Sequence, residues 1–167
     1  TDLTYAIILV SLVMLIFLHS VRNSLIVLVS IPTSIISTFT VMYLLGYSLN
    51  LLTLLGLSLS IGILVDDSIV VLENIHRHIE MGKDRVRSAY EGRMEIGFTA
   101  LSITMIDVVV FMPIIFSSGL VADMLRQYSV VIVTSTLFSL FVSFTIVPLL
   151  TSRFSKLERI KGKTIFG

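Results

Sequence analysis

The sequence predicts an all-α, polytopic transmembrane helix bundle with five spans and one short amphipathic surface helix. Three observations predict it. The 167 residues are 55% hydrophobic and 14% charged, and their mean hydropathy of +1.01 is far above that of a soluble domain. The apolar residues gather in five segments, at about 4–20, 24–46, 50–76, 97–116 and 126–151, each near the length that crosses a bilayer. Eleven of the twelve basic residues lie in regions that five crossings place on one side.

The first segment, YAIILVSLVMLIFL, has almost no small or polar residues and suits a lipid-facing rim. The second carries Ser30, Ser34 and Thr38 at four-residue spacing, a stripe that lets helices approach closely, with Pro32 expected to bend it. The fourth holds an acid, Asp107, with Ala100 and Thr104 on its side. The fifth repeats the small-residue stripe as Ser135, Ser139 and Ser143, with Pro148 near its end.

The third segment is expected to be the central helix, because it carries two adjacent aspartates, Asp66 and Asp67, well inside an apolar run. Each carboxylate near the bilayer centre costs roughly 2.5–3.5 kcal/mol on insertion scales, so the pair costs about 5–7. The 15 Leu, Ile and Val residues of the span recover roughly 0.3–0.6 kcal/mol each, which about balances that cost. Insertion is feasible, yet nothing about insertion explains the acids. At 100° per residue, Gly56, Ser60, Asp67 and Asn74 share one stripe, and Gly62, Asp66 and Glu73 a second, about a quarter-turn away. Burial and mutual repulsion raise the proton affinity of at least one such acid, which is what a proton carrier needs.

The connections sort by charge. Arg22, the loop with Arg77, Lys83, Arg85, Arg87 and Arg93, and the tail with Arg153, Lys156, Arg159, Lys161 and Lys163 fall on one side, and Arg126 alone on the other. The positive-inside rule then places the N-terminus outside and the C-terminus in the cytoplasm. Residues 1–152 form the bundle and 153–167 a basic cytoplasmic tail. Val86, Ala89, Tyr90 and Met94 recur at helical spacing among charges, predicting a surface helix over about 83–95, with Gly82 separating it from the third span. His76 and His78 flank Arg77 at the interface and are expected to be solvated. The chain opens on Thr1 with no basic region ahead of its first apolar run, so it is expected to be an excised piece of a longer protein.

No cysteine is present, which excludes thiolate metal sites and disulfides; no histidine pair has metal-ligand spacing, and no phosphate loop, nucleophile triad or nucleic-acid patch occurs. No metal, organic cofactor or nucleic-acid partner is expected. Asp66 and Asp67 are the candidate proton relay, with Asp107, Thr104, Glu73 and Asn74 as accessory candidates. Thr104 lies one turn before Asp107 and could hydrogen-bond it, while capping or hydration suffices for Glu73 and Asn74. None of the spans holds an interior Lys or Arg, so a counter-charge must come from elsewhere.

The run LNLLTLLGLSLSIGILVDDSIVVLENI resembles the fourth transmembrane helix of resistance–nodulation–cell division (RND) efflux permeases. LHSVRNSLIVLVSIPTSI resembles the turn between their second and third spans, FMPIIFSSG the end of the fifth, and RQYSVVIVTSTLFSLFVSFTIVPLL the sixth. The resemblance implies spans two to six of the first half of a proton-driven substrate/proton antiporter in the bacterial inner membrane. It also implies a homotrimer, protons as the coupling ion, Asp66 and Asp67 as relay aspartates, and a Lys from a second half as their partner. At Asp107 the family pattern usually has an apolar or hydroxylated residue. Two other readings remain. Asp67 and Asp107 could form an intramembrane aspartyl protease pair, although a G-x-G-D signature is absent; or the bundle could be a non-transporting sterol-sensing or lipid-handling relative.

Overall fold

A computed structural model of the chain describes residues 21–154 together with Tyr5, Ile8, Leu9 and Leu12. Those four are helical and exposed; the rest of the expected span 4–20, and the tail beyond Phe154, lie outside the described residues. Four helices follow, α1 (Val21–Leu44), α2 (Leu51–Glu80), α3 (Arg85–Ile115) and α4 (Leu120–Phe154), with no strand among the described residues. Each is long and apolar enough to cross a membrane.

The centre of the bundle is shared. Both α2 and α4 touch every other described helix, whereas α1 and α3 lie on opposite sides of that pair and do not meet. The predicted central helix is thus one of two. Its apolar core runs from Ile26, Val27 and Ile31 of α1 across Ile61, Leu64, Leu72 and Ile75 of α2 to Val147 of α4.

The hydroxyl stripes read from the sequence are where these helices meet. Ser30, Ser34 and Thr38 are buried on α1, and Ser135, Ser139 and Ser143 on α4. Thr38 Oγ1 donates to Ser135 Oγ across the α1–α4 contact at 3.2 Å. Thr38 and Ser60 also bond the carbonyl one turn back, at 2.9 Å and 2.8 Å, which satisfies a hydroxyl where water is absent.

The helix ends follow local chemistry. Asn50 caps α2 in a reciprocal box with Thr53 and reaches Gln127 on α4 at 2.9 Å. Gly82 takes a positive φ of 84° just past α2, as expected of a residue that must reverse the chain.

One boundary differs from expectation. Residues 85–95 are not a separate surface helix; they are the first turns of α3, continuous to Ile115. Nothing in the sequence there forces a break, and Asp84 caps the helix through the Val86 N–H. With Arg85, Arg87, Glu91, Arg93 and Glu95, this section is too charged for hydrocarbon. The apolar part of α3 begins near Ile96.

Candidate functional site: carboxylates between α2, α3 and α4

Asp67 projects from the middle of α2 toward α4, half-buried, where Ser139 Oγ donates to its Oδ2 at 2.6 Å. The next residue, Ser68, is buried and joins three helices: it bonds Ser30 of α1 at 2.9 Å and Ser143 of α4 at 3.2 Å. Asp67 and Ser68 therefore lock onto two successive turns of α4. Helical spacing of four on one partner and adjacency on the other produce this pairing. The stripe on α4 was legible in the sequence; Ser68, between Asp67 and Ile69 and outside both small-and-polar stripes of α2, was not.

Asp66, 100° further round, is exposed. It shares an open stripe with Leu55, Leu59, Val70 and Glu73, also exposed, and with Gly62, where an added Cβ would meet nothing within 4 Å among the described residues. The other predicted stripe behaves oppositely: Gly56, Ser60 and Asn74 are buried. At Gly56 a Cβ would stand 3.3 Å from the Tyr128 carbonyl of α4. Two small-and-polar stripes were expected, and they differ in having or lacking a described neighbour.

Asp107 of α3 is half-buried and near enough to Asp67 for the two charges to interact through space, with Asp66 the other such charge. No hydrogen bond joins Asp107 to Asp67. Thr104 does not serve Asp107 either: its hydroxyl is buried with no hydrogen-bond partner. Glu73 is exposed on the open stripe.

Asn74 has a different place. Its Nδ2 donates to the Gly92 carbonyl at 2.7 Å and lies 3.3 Å from Glu95 Oε2, so it fastens α2 to the charged section of α3. A cluster builds outward from there. His78, expected to be solvated, is buried because the continuing α3 covers it. Lys83 Nζ lies 2.8 Å from His78 Nδ1 and Glu95 Oε2 2.6 Å from Nε2. Lysine can only donate, so Nδ1 accepts and the neutral Nε2–H tautomer faces the carboxylate. Lys83 and Arg87 each donate to Glu91 at 2.6 Å, and these two bonds hold its carboxyl down at about 2. Bonds from His78 and then Asn74 lower Glu95 as well. Sequence reading missed this cluster, since its members lie up to 21 residues apart.

Among the described residues no group of His, Asp and Glu could hold a metal ion. A groove lined by Leu25, Val29, Arg85, Leu150 and Arg153 opens at the basic end, with no carboxylate in its wall.

A bundle of membrane-length helices with a carboxylate, Asp67, at an inner helix contact is the form of a multi-pass membrane protein whose intramembrane acid is a candidate functional group. The chain belongs to the AcrB/AcrD/AcrF family, whose model matches residues 1–166, and this is the RND family that the double-aspartate helix resembled. It is 44% identical to Multidrug resistance protein MdtC of Photorhabdus laumondii over 161 residues, covering 96% of this chain and 16% of that protein. Against the MdtC of Citrobacter koseri identity is 41% over 162 residues, 97% of this chain and 16% of the relative. Against that of Pantoea ananatis it is 43% over 149 residues, 89% and 14%. The chain thus spans about a sixth of the length of these curated relatives. The family is one of transporters and not of enzymes, so the aspartyl protease reading falls.

Proposed function

We infer that this chain forms part of the proton-translocating transmembrane domain of an RND-type exporter, the first half of a two-half unit, and that Asp66 and Asp67 carry the coupling proton. The observation that carries this reading is the environment of the pair. One acid, Asp67, is tied to Ser139 inside the bundle; its neighbour opens onto a stripe of α2 that no described helix covers.

Two adjacent carboxylates cannot both stay charged in a low-dielectric setting without a cation. A Lys from the second half, packed on the stripe of Gly62, Asp66 and Glu73, supplies it. Protonation of the pair weakens that attraction, and the helix bearing the cation moves away. On the inner side, loss of charge on Asp67 weakens its bond from Ser139, since a hydrogen bond to a charged acceptor is about twice as strong as a neutral one. α2 and α4 then shift against each other, and the motion drives export elsewhere in the protein. Asp107, half-buried on the neighbouring α3, is the accessory acid of this site.

The relatives are multidrug resistance proteins by name, which supports small drug-like molecules as cargo. The exporter is a homotrimer in the bacterial inner membrane, and the basic end, with Arg77 to Arg93, is cytoplasmic. In the complete exporter, Asp66→Asn or Asp67→Asn should abolish proton-coupled export while expression and assembly persist. Export that survives either change with its normal proton dependence would overturn the relay; loss of the folded protein would assign the acids to packing.

A further inference from the structure

Three prolines stand inside the described helices, Pro32, Pro113 and Pro148. Each lacks the N–H that would bond the carbonyl four residues earlier, those of Leu28, Val109 and Phe144. In an apolar environment an orphaned carbonyl is costly unless something else donates to it. Among the described residues only one of the three receives a side chain: Arg93 of α3 donates from a guanidinium nitrogen to the Phe144 carbonyl at 2.9 Å. One turn further along α3, Gly97 stands against the Phe144 ring, where an added Cβ would lie 3.5 Å from Cε1. α3 therefore grips Phe144 at both its backbone and its ring.

Phe144 is not a neutral place on α4. It follows Ser143, which bonds Ser68, and lies little more than a turn beyond Ser139, which bonds Asp67. The gap left by Pro148 frees the backbone just beyond the residues of α4 that meet Asp67 and Ser68, and Arg93 closes it from a different helix. We propose that Arg93 is a positioning residue: by capping the carbonyl that Pro148 orphans, it sets the register of the Ser139–Ser143 turn against Asp67 and Ser68. It touches neither acid and works through α4. This role rests on the relay assigned above to Asp66 and Asp67. The charged and polar groups that face Asp67 are Asp66 on its own helix, Asp107 from α3 and Ser139 from α4; Arg93 governs the last.

The pairing yields a specific test, because an N–H at position 148 would replace the guanidinium. Arg93→Ala, Pro148→Ala and the double variant are made in the complete exporter, and export rate against pH and thermal unfolding are both recorded. Losing a charged donor to this part-buried carbonyl should cut export roughly tenfold in Arg93→Ala and displace its pH profile. The double variant should return to within about twofold of Pro148→Ala, since the alanine N–H now serves Phe144. Equal damage from Arg93→Ala with and without Pro148 would overturn the proposal, as would an unchanged pH profile with only the folded yield reduced. If Pro148→Ala does not assemble, Arg93→Lys, which keeps a charged donor, should hold the wild-type profile; displacement as large as that of Arg93→Ala would overturn the assignment. Should the wild type itself export without proton dependence, the relay fails, while rescue of unfolding temperature in the double variant still tests the Arg93–Phe144 bond.

Discussion

Gly92 of α3 lies directly against Ile75 of α2, so close that a Cβ on Gly92 would stand 2.8 Å from the Ile75 Cα and 3.0 Å from its N. The neighbouring Asn74 amide donates to the Gly92 carbonyl at 2.7 Å. Glycine is required here by space, since its backbone is ordinary helix. The contact holds the charged end of α3 over His78 and Ile79.

Gly92→Ala should therefore force the two helices apart, because the atoms it meets belong to backbone that cannot turn aside. Overpacking of this kind costs about 1–3 kcal/mol, and the Asn74 bond weakens with it. Thermal unfolding of the detergent-solubilised exporter measures the loss, and an unchanged midpoint would contradict the close approach.

Gly62→Ala is the counterpart. Among the described residues nothing lies within 4 Å of the added methyl, and alanine favours a helix interior by about 1 kcal/mol over glycine. Where no other helix packs on the open stripe, the substitution is neutral or stabilising. Lost export with normal folding of the complete exporter is the outcome expected if the second half seats there.

Acid should loosen the cluster at the basic end. The carboxyl of Glu91 is lowered from an ordinary 4.5 to about 2, so its contribution is fully present above about 4.5 and disappears as pH falls toward 2. Glu95 is shifted in the same direction. Unfolding temperature is expected to stay level down to about pH 5 and then fall. Glu91→Gln should remove part of that fall while lowering the neutral-pH midpoint; a fall of undiminished size would exclude Glu91 as its source.

Sidedness follows from charge. A cysteine placed within residues 80–92 should react only with reagent on the cytoplasmic side, and one at Ser118 only from outside. Reversed labelling would invert the proposed orientation.

The sequence carried the helices and their contact stripes because burial in lipid restricts what can sit at a helix contact. Ser30, Ser34, Thr38, Ser135, Ser139 and Ser143 announced themselves by spacing, and all are buried. What it did not carry depends on which helix faces which. Ser68, Gly92, Arg93 and His78 acquire their roles from partners on other helices, and no periodicity within one segment marks them. The continuity of α3 was missed for a related reason: charge marks where an apolar span ends, whereas a helix ends only where capping or a breaker stops it. Neither is present between residues 85 and 97, and Gly92, which reads as a weak point, serves the packing instead.

The central claim is that the Asp66–Asp67 pair gains and loses a proton during export. Infrared difference spectra of the complete exporter, recorded as a proton gradient is imposed, report protonation of carboxyl groups directly. A carboxylic acid band should appear in the wild type and in Asp123→Asn, and vanish in Asp66→Asn or Asp67→Asn. A band of full intensity in both relay variants, with export still driven by the gradient, would contradict the account.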